Sequence, residues 1–206
     1  MMIGDLLFLV LILTALIVVL RAVYLLLRRR YAQAGRVFVR LAIGVAVYFA
    51  GLISVSLAAH QKILAVGQDR CFDDWCLAVE SWTTPPKIRD LSPQGTFYLV
   101  ALRVSSRAKR VSQRALDAKV YVKDSRGRDY DPSPAGQRAY EARNGAAKPL
   151  SDRLEAGESF TTVRVFDVPR DAVGLGLVVS HGAFPGCIVI GDSQSFLHKR
   201  TITPLE

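Results

Sequence analysis

The sequence predicts a transmembrane α-helical hairpin followed by an all-β antiparallel sandwich. Two long apolar stretches near the N-terminus, an arginine-filled connection between them, and a change of pattern after residue 62 carry this reading. Past that point the chain becomes a series of short apolar or alternating runs, broken by turn residues about every ten positions, with no sustained helical period.

From Leu6 to Leu27 only Thr14 and Arg21 interrupt the apolar run, and from Leu41 to Ala59 there is no charged residue. At about 1.5 Å per residue each stretch reaches across a hydrocarbon core of roughly 30 Å. The expected spans are therefore 6–27 and 41–59. Between them, residues 28–40 carry Arg28, Arg29, Arg30, Arg36 and Arg40, and a short arginine-rich loop next to spanning segments is retained in the cytoplasm. Both termini then face outward. The start, MMIGD, has no Lys or Arg, unlike a secretory signal peptide, so the hairpin is expected to stay attached. Arg21 lies near the cytoplasmic end of the first span, where its side chain can snorkel to headgroups. Ala46, Ala50 and Ser54 recur every four residues on the second span, and Gly44 and Gly51 seven apart, a stripe suited to hairpin contact or to a homo-oligomer through the second helix.

The domain organisation expected is an anchor over 1–62, a linker over 63–75 and an extracytoplasmic sandwich over 76–206. Strands are predicted at CLAVESW (76–82), GTFYLVALRVSS (95–106), DAKVYVKD (117–124), ESFTTVRVFDVP (158–169), GLGLVVS (174–180), CIVIG (187–191) and around Phe196 to Ile202. The run at 97–102 is apolar without alternation, which suits a central strand buried on both faces. KVYVK alternates, with Val120 and Val122 on one face. Residues 131–148, rich in Pro, Gly and polar residues, are expected to form a long loop with at most one helical turn.

The formal charge of +9 has to be located before it is interpreted. Residues 1–59 hold six arginines against Asp5, so the remaining stretch contributes only +4. It contains no paired Cys/His ligands, RNA-binding aromatic strand or basic zipper helix, and nucleic acid is not expected as a partner.

Three phrases, FYLVALRVSS (97–106), KVYVKDSRGRDYDPS (119–133) and LEAGESFTTVRVFDVPRDA (154–172), taken in this order, resemble the bacterial immunoglobulin-like domains of unknown function related to the mycobacterial secreted immunoprotective antigen. The last phrase is the most specific, with its glycine turn, alternating strand and Phe-Asp-Val-Pro ending. The resemblance covers about half the chain. It implies an immunoglobulin-like sandwich without catalytic activity and supplies no site residues. The two spanning helices depart from the family's usual lipidated or single-helix start.

Candidate chemistry centres on CFDDWC (71–76). Cys71 and Cys76 can close a local disulfide in an oxidising compartment, worth about 2 kcal/mol by loop closure. Cys187 could instead bridge to either, or the thiols could stay reduced, since connectivity is not deducible from sequence. A redox or metal-handling role would use Cys71, Cys76 and His181, although no second cysteine pair exists. Asp73 and Asp74 are a candidate carboxylate pair. Asp124, Asp129 and Asp131 fail the calcium-loop spacing and read as hairpin residues. With His60, His181 and His198 the only histidines, no hydrolase triad is singled out, and no enzyme or cofactor is expected. Arg103, Arg107, Lys109, Arg110 and Arg114 read first as residues of a solvated loop, and alternatively as a basic surface patch that meets anionic headgroups or an acidic partner. The function expected is a binding or scaffold module, using loops or a sheet edge, on the outer side of the bacterial inner membrane, with the lipid bilayer and an envelope protein as partners.

Overall fold

A computed structural model describes residues 3–72, 74–182 and 184–206, so Asp73 of the candidate carboxylate pair lies outside the described residues. The chain divides into two compact units. One comprises residues 1–60 and 183–200, the other 61–182 and 201–206.

In the first unit, α1 (Ile3–Leu27) and α2 (Tyr31–Ala58) pack along each other. The buried or half-buried positions of α1 include Gly4, Phe8, Leu11, Ala15, Val18, Ala22 and Leu25, alternating four and three apart. Those of α2 include Ala34, Val37, Leu41, Val45, Tyr48, Leu52 and Ser56. Spacings of three and four residues put these positions on one face of each helix, the seam along which the pair packs. Ala46, Ala50 and Ser54 lie exposed on α2, away from this seam. The connection is shorter than expected. Only residues 28–30 form the turn, with Arg29 at φ 56°, and Arg36 and Arg40 sit on the first turns of α2. Residues Tyr31 to Arg40 extend the helix because they contain nothing that breaks one apart from Gly35. Both helices are long and apolar enough to cross a membrane, and no more than 11 % of either apolar window is buried.

CIVIG is not a strand. Gly186–Ile188 is one 3-10 turn, and residues 184–200 belong with the helices instead of the sandwich. Their apolar residues serve contact with α1 and α2, which a strand reading of an apolar run cannot distinguish.

The second unit is a β-sandwich. One sheet runs β1 (Arg70–Phe72), β2 (Trp75–Thr83), β3 (Thr96–Ser106), β6 (Ser159–Val168), and the other β5 (Asp129–Tyr130), β4 (Lys119–Lys123), β7 (Gly176–Ser180), β8 (Ile202–Pro204), all antiparallel. With β2, β3 and β6 as strands A, B and E, and β4, β5, β7 and β8 as C, C′, F and G, this is the immunoglobulin order, with β1 added at the A edge. Val100, Leu102, Val104 and Phe166 of the first sheet meet Val120, Val122, Leu177 and Val179 of the second in one core. The final strand starts later than expected, at Ile202, where Ile63 also pairs. The supposed linker over 63–75 contains β1.

Residues 131–148 contain a helix of three turns, α3 (Pro134–Asn144), in place of the expected loop. Ser133 caps its start, accepting from Gly136 N at 3.1 Å, Pro134 occupies the first turn, and Gly145 ends it at φ 84°. Ala139 and Tyr140 pack on Phe97, Val165 and Ile88, the outer face of the first sheet. β3 is therefore covered on both faces, which accounts for its unbroken apolar run.

Candidate functional site

The cysteine hairpin comes first. Cys71 and Cys76 are register partners across β1 and β2 and form a disulfide, leaving Cys187 as the free cysteine. Beside them Phe72 and Trp75 stack at 4.8 Å between ring centroids, and the His181 ring stands 4.5 Å from Phe72. Arg107 closes over the hairpin tip. Its N–H donates to Asp74 O at 2.6 Å and its Nη1 lies 3.5 Å from Cys71 Sγ. Among the described residues no three His, Cys, Asp or Glu side chains gather as a metal site.

The basic residues separate into two groups. Arg103 is spent on Asp69 at 3.1 Å and Glu80 at 3.8 Å across the outer face of the sheet, and Arg107 on the hairpin. Lys109, Arg110 and Arg114 stand exposed on the β3–β4 loop beside exposed Val111 and Leu116. This loop shares one end of the sandwich with the cysteine hairpin and with Gly182, whose N–H donates to Asp117.

At the opposite end lies an open groove of about 530 Å³, bounded by the β2–β3 loop, the β6 terminus and the start of α3. Phe97 and Leu91 line it, Pro132, Pro134 and Pro169 stiffen its rim, and Asp131 and Asp167 bring two carboxylates. Asp167 is already engaged. Its two oxygens accept from Gln94 N and Gly95 N, each at 2.9 Å, and so hold the β2–β3 loop against the end of β6. That is the physical role of the aspartate in the Phe-Asp-Val-Pro phrase. Gly95 is required there, because a Cβ would run into the Val168 carbonyl.

Sequence reasoning missed a buried carboxylate that accepts four hydrogen bonds. Asp124 was expected to be a solvated hairpin residue, yet its side chain is 0 % exposed. Oδ1 accepts from Arg126 N and Arg128 N, both at 2.9 Å, and Oδ2 from Arg128 Nε at 2.7 Å and Tyr130 Oη at 3.0 Å. Asp171 holds the other side of Arg128 at 2.9 Å. Burial pushes the Asp124 carboxyl up, but the hydrogen bonds from Arg128 and Tyr130 outweigh it and bring the pKa to about 2. Burial and the bond to Asp124 push the Tyr130 phenol up. With these four bonds and so low a pKa, Asp124 is a poor base or cation ligand. It pins the β4–β5 turn. The signal was present as Asp-Ser-Arg-Gly-Arg, an aspartate able to bond backbone N–H groups two and four residues on.

Around the groove, Gln137 of α3 donates from Nε2 to Val163 O at 3.1 Å and accepts at Oε1 from Val165 N at 3.1 Å. Ser133 N donates to Val165 O at 2.7 Å, and Thr162 and Arg164 donate to Lys148 O. Burial lowers the pKa of Arg164.

No family model and no curated protein matches this chain. Solved structures do. A conserved hypothetical protein from Bacillus anthracis is 16 % identical with a TM-score of 0.47, over 56 % of this chain and 88 % of that one. The secreted protein MPT63 from Mycobacterium tuberculosis is 16 % identical with a TM-score of 0.43, over 61 % and 93 %. An uncharacterised β-sandwich protein from Clostridium difficile is 9 % identical with a TM-score of 0.42, over 71 % and 95 %. These include the mycobacterial secreted type that the strand phrases resemble. The fold assignment itself rests on the strand order.

Proposed function

We propose that the chain is a membrane-anchored extracytoplasmic binding or scaffold module of the bacterial inner membrane, without chemistry of its own. The observation that carries this is the outer surface of α1 and α2, where long apolar side chains such as Leu13, Leu16, Ile17, Leu20 and Val47 stand exposed along both helices. So large an apolar surface is tolerated in lipid and not in water. The arginines at the 28–30 turn favour that turn on the cytoplasmic side, so the termini and the sandwich lie outside, where a disulfide persists. The groove beside α3 suits a partner better than a substrate, since its Asp167 and Ser133 are already bonded. Lys109, Arg110 and Arg114 offer a second contact for an acidic envelope protein.

A second reading has one observation behind it. Arg107 places a cation beside Cys71 Sγ, where a developing thiolate would be stabilised, as in a redox couple. Thiol titration separates the two: a Cys71–Cys76 bond that cycles readily under mild reductant favours the redox reading.

The anchor is tested by fusing reporters after Glu206. Alkaline phosphatase, which folds only outside the cytoplasm, should be active, and a fluorescent protein that matures only in the cytosol should stay dark. The reverse pattern overturns the topology.

A further inference from the structure

We infer that residues 184–200 form a re-entrant loop that seats on the outer half of the helix hairpin and inserts Phe184, Phe196 and Leu197 among the acyl chains of the outer leaflet. This rests on the membrane-anchor reading above. The loop connects β7 to β8 yet belongs to the helical unit. It is fixed there at several points. Tyr48 Oη donates to Ile188 O at 2.7 Å, and the Ser56 and Ser195 hydroxyls, both 0 % exposed, pair at 2.9 Å. Ile190 Cδ1 lies 3.9 Å from the Cβ position of Gly51, and Gly4 is so close to the Ile190 carbonyl that no side chain fits.

Those contacts give the loop its depth. The charge-free part of α2 begins after Arg40, and a core of roughly 30 Å needs about 20 residues, so nearly all of it up to Ala59 lies in hydrocarbon. Tyr48 is ten residues before the helix end at Ala58, about 15 Å along the axis, near mid-membrane. The Ile188 turn that meets its hydroxyl therefore reaches well below the headgroups, while Ser195 stays level with the outer end of α2.

Non-helical backbone survives at such depth only where its polar groups are satisfied by protein. Here Ile188 N bonds Pro185 O, Val189 N bonds Gly186 O, Phe196 N bonds Cys187 O and Ser195 N bonds Asp192 O, while Asp192 Oδ1 accepts from Gln194 N. Much of the loop's backbone is thus bonded within the loop itself. Three of its large apolar side chains stand outward: Phe184 is 74 %, Phe196 60 % and Leu197 51 % exposed. They belong to the same unit as the exposed apolar surface of α1 and α2, and His198, Lys199 and Arg200 follow at once, as expected where the chain returns to the headgroup layer.

Depth-dependent quenching tests this on the full chain. In a Cys187→Ala background with the disulfide intact, single cysteines replace Phe184, Phe196 or Leu197, with Val10→Cys on α1 as membrane control and Lys109→Cys as aqueous control. All five positions are exposed, so labelling leaves the interior untouched. Each is labelled with bimane and reconstituted in phosphatidylcholine–phosphatidylglycerol vesicles with or without nitroxide on the acyl chain. The three loop labels and Val10 should lose at least half their emission, and Lys109 little. Loop labels as bright as Lys109 beside a quenched Val10 overturn the inserted loop and leave the anchor standing. An unquenched Val10 overturns the anchor itself.

Discussion

Replacing Cys71 and Cys76 by serine should lower the melting temperature of the sandwich by about 8 °C. The bridge joins residues five apart in a hairpin whose register already aligns them, so its effect lies chiefly in the unfolded chain. Closing so short a loop removes about 2 kcal/mol of conformational freedom from that ensemble at 25 °C. For a domain of this size, whose unfolding entropy scales with length, 2 kcal/mol corresponds to about 8 °C. The two tryptophans, Trp75 and Trp82, both lie on β2 and report the sandwich without interference from the helices. Melting followed by their emission in detergent is the assay. Before reduction, thiol titration of the denatured chain should find one thiol, Cys187. A melting point unchanged within 2 °C, or three titratable thiols, would refute the reasoning.

Asp124→Asn should flatten the acid limb of the stability curve. A carboxylate held at about 2, against about 3.9 unfolded, contributes fully above pH 4 and loses that contribution as pH falls through 2. Urea midpoints at pH 6 and pH 2.5 should therefore converge more in the variant than in the parent, and equal pH slopes would remove Asp124 from this role. Gly136→Ala sets a Cβ 2.7 Å from Val165 Cγ1 and 3.3 Å from Phe97 Cε1. The resulting overpacking should cost about 1–3 kcal/mol despite the better helix former, and a stabilised variant would show that α3 is not seated on the sheet. Lys109→Glu, Arg110→Glu and Arg114→Glu together should reduce in-cell crosslinking to an envelope partner several-fold at unchanged melting temperature; undiminished capture would clear the patch of any binding role.

The strands were legible where one physical rule dominated. KVYVK alternates because one face of β4 meets the core, and Phe97 to Leu102 is apolar throughout because α3 covers the second face of β3. The helices of the hairpin were legible from apolarity, but not the ten helical residues from Tyr31, since arginines that mark topology say nothing about backbone conformation. α3 was hidden because its face toward the sheet is only Ala139 and Tyr140, too little for a periodic signal. Its end signals, Ser133-Pro134 and Gly145, were the better guide. CIVIG misled because contact with helices and contact with a sheet need the same residue types. The disulfide was one of several pairings open to three cysteines, and only the β1–β2 register chose among them. Asp124 was misread because its burial depends on Arg128 and Tyr130 folding back over it across the hairpin, with Asp171 from a distant loop holding the far side of Arg128.

Gln137 has a consequence for how the sandwich meets its own copies. Its amide bonds Val163 O and Val165 N on the outer edge of β6, the longest border strand, where a neighbouring molecule would otherwise find a template. Proteins confined to two dimensions collide often and with their orientations already aligned, conditions that favour zippering into filaments. With Val163 and Val165 already bonded to its own helix, β6 offers a passing copy fewer open groups on which to zip a second sheet.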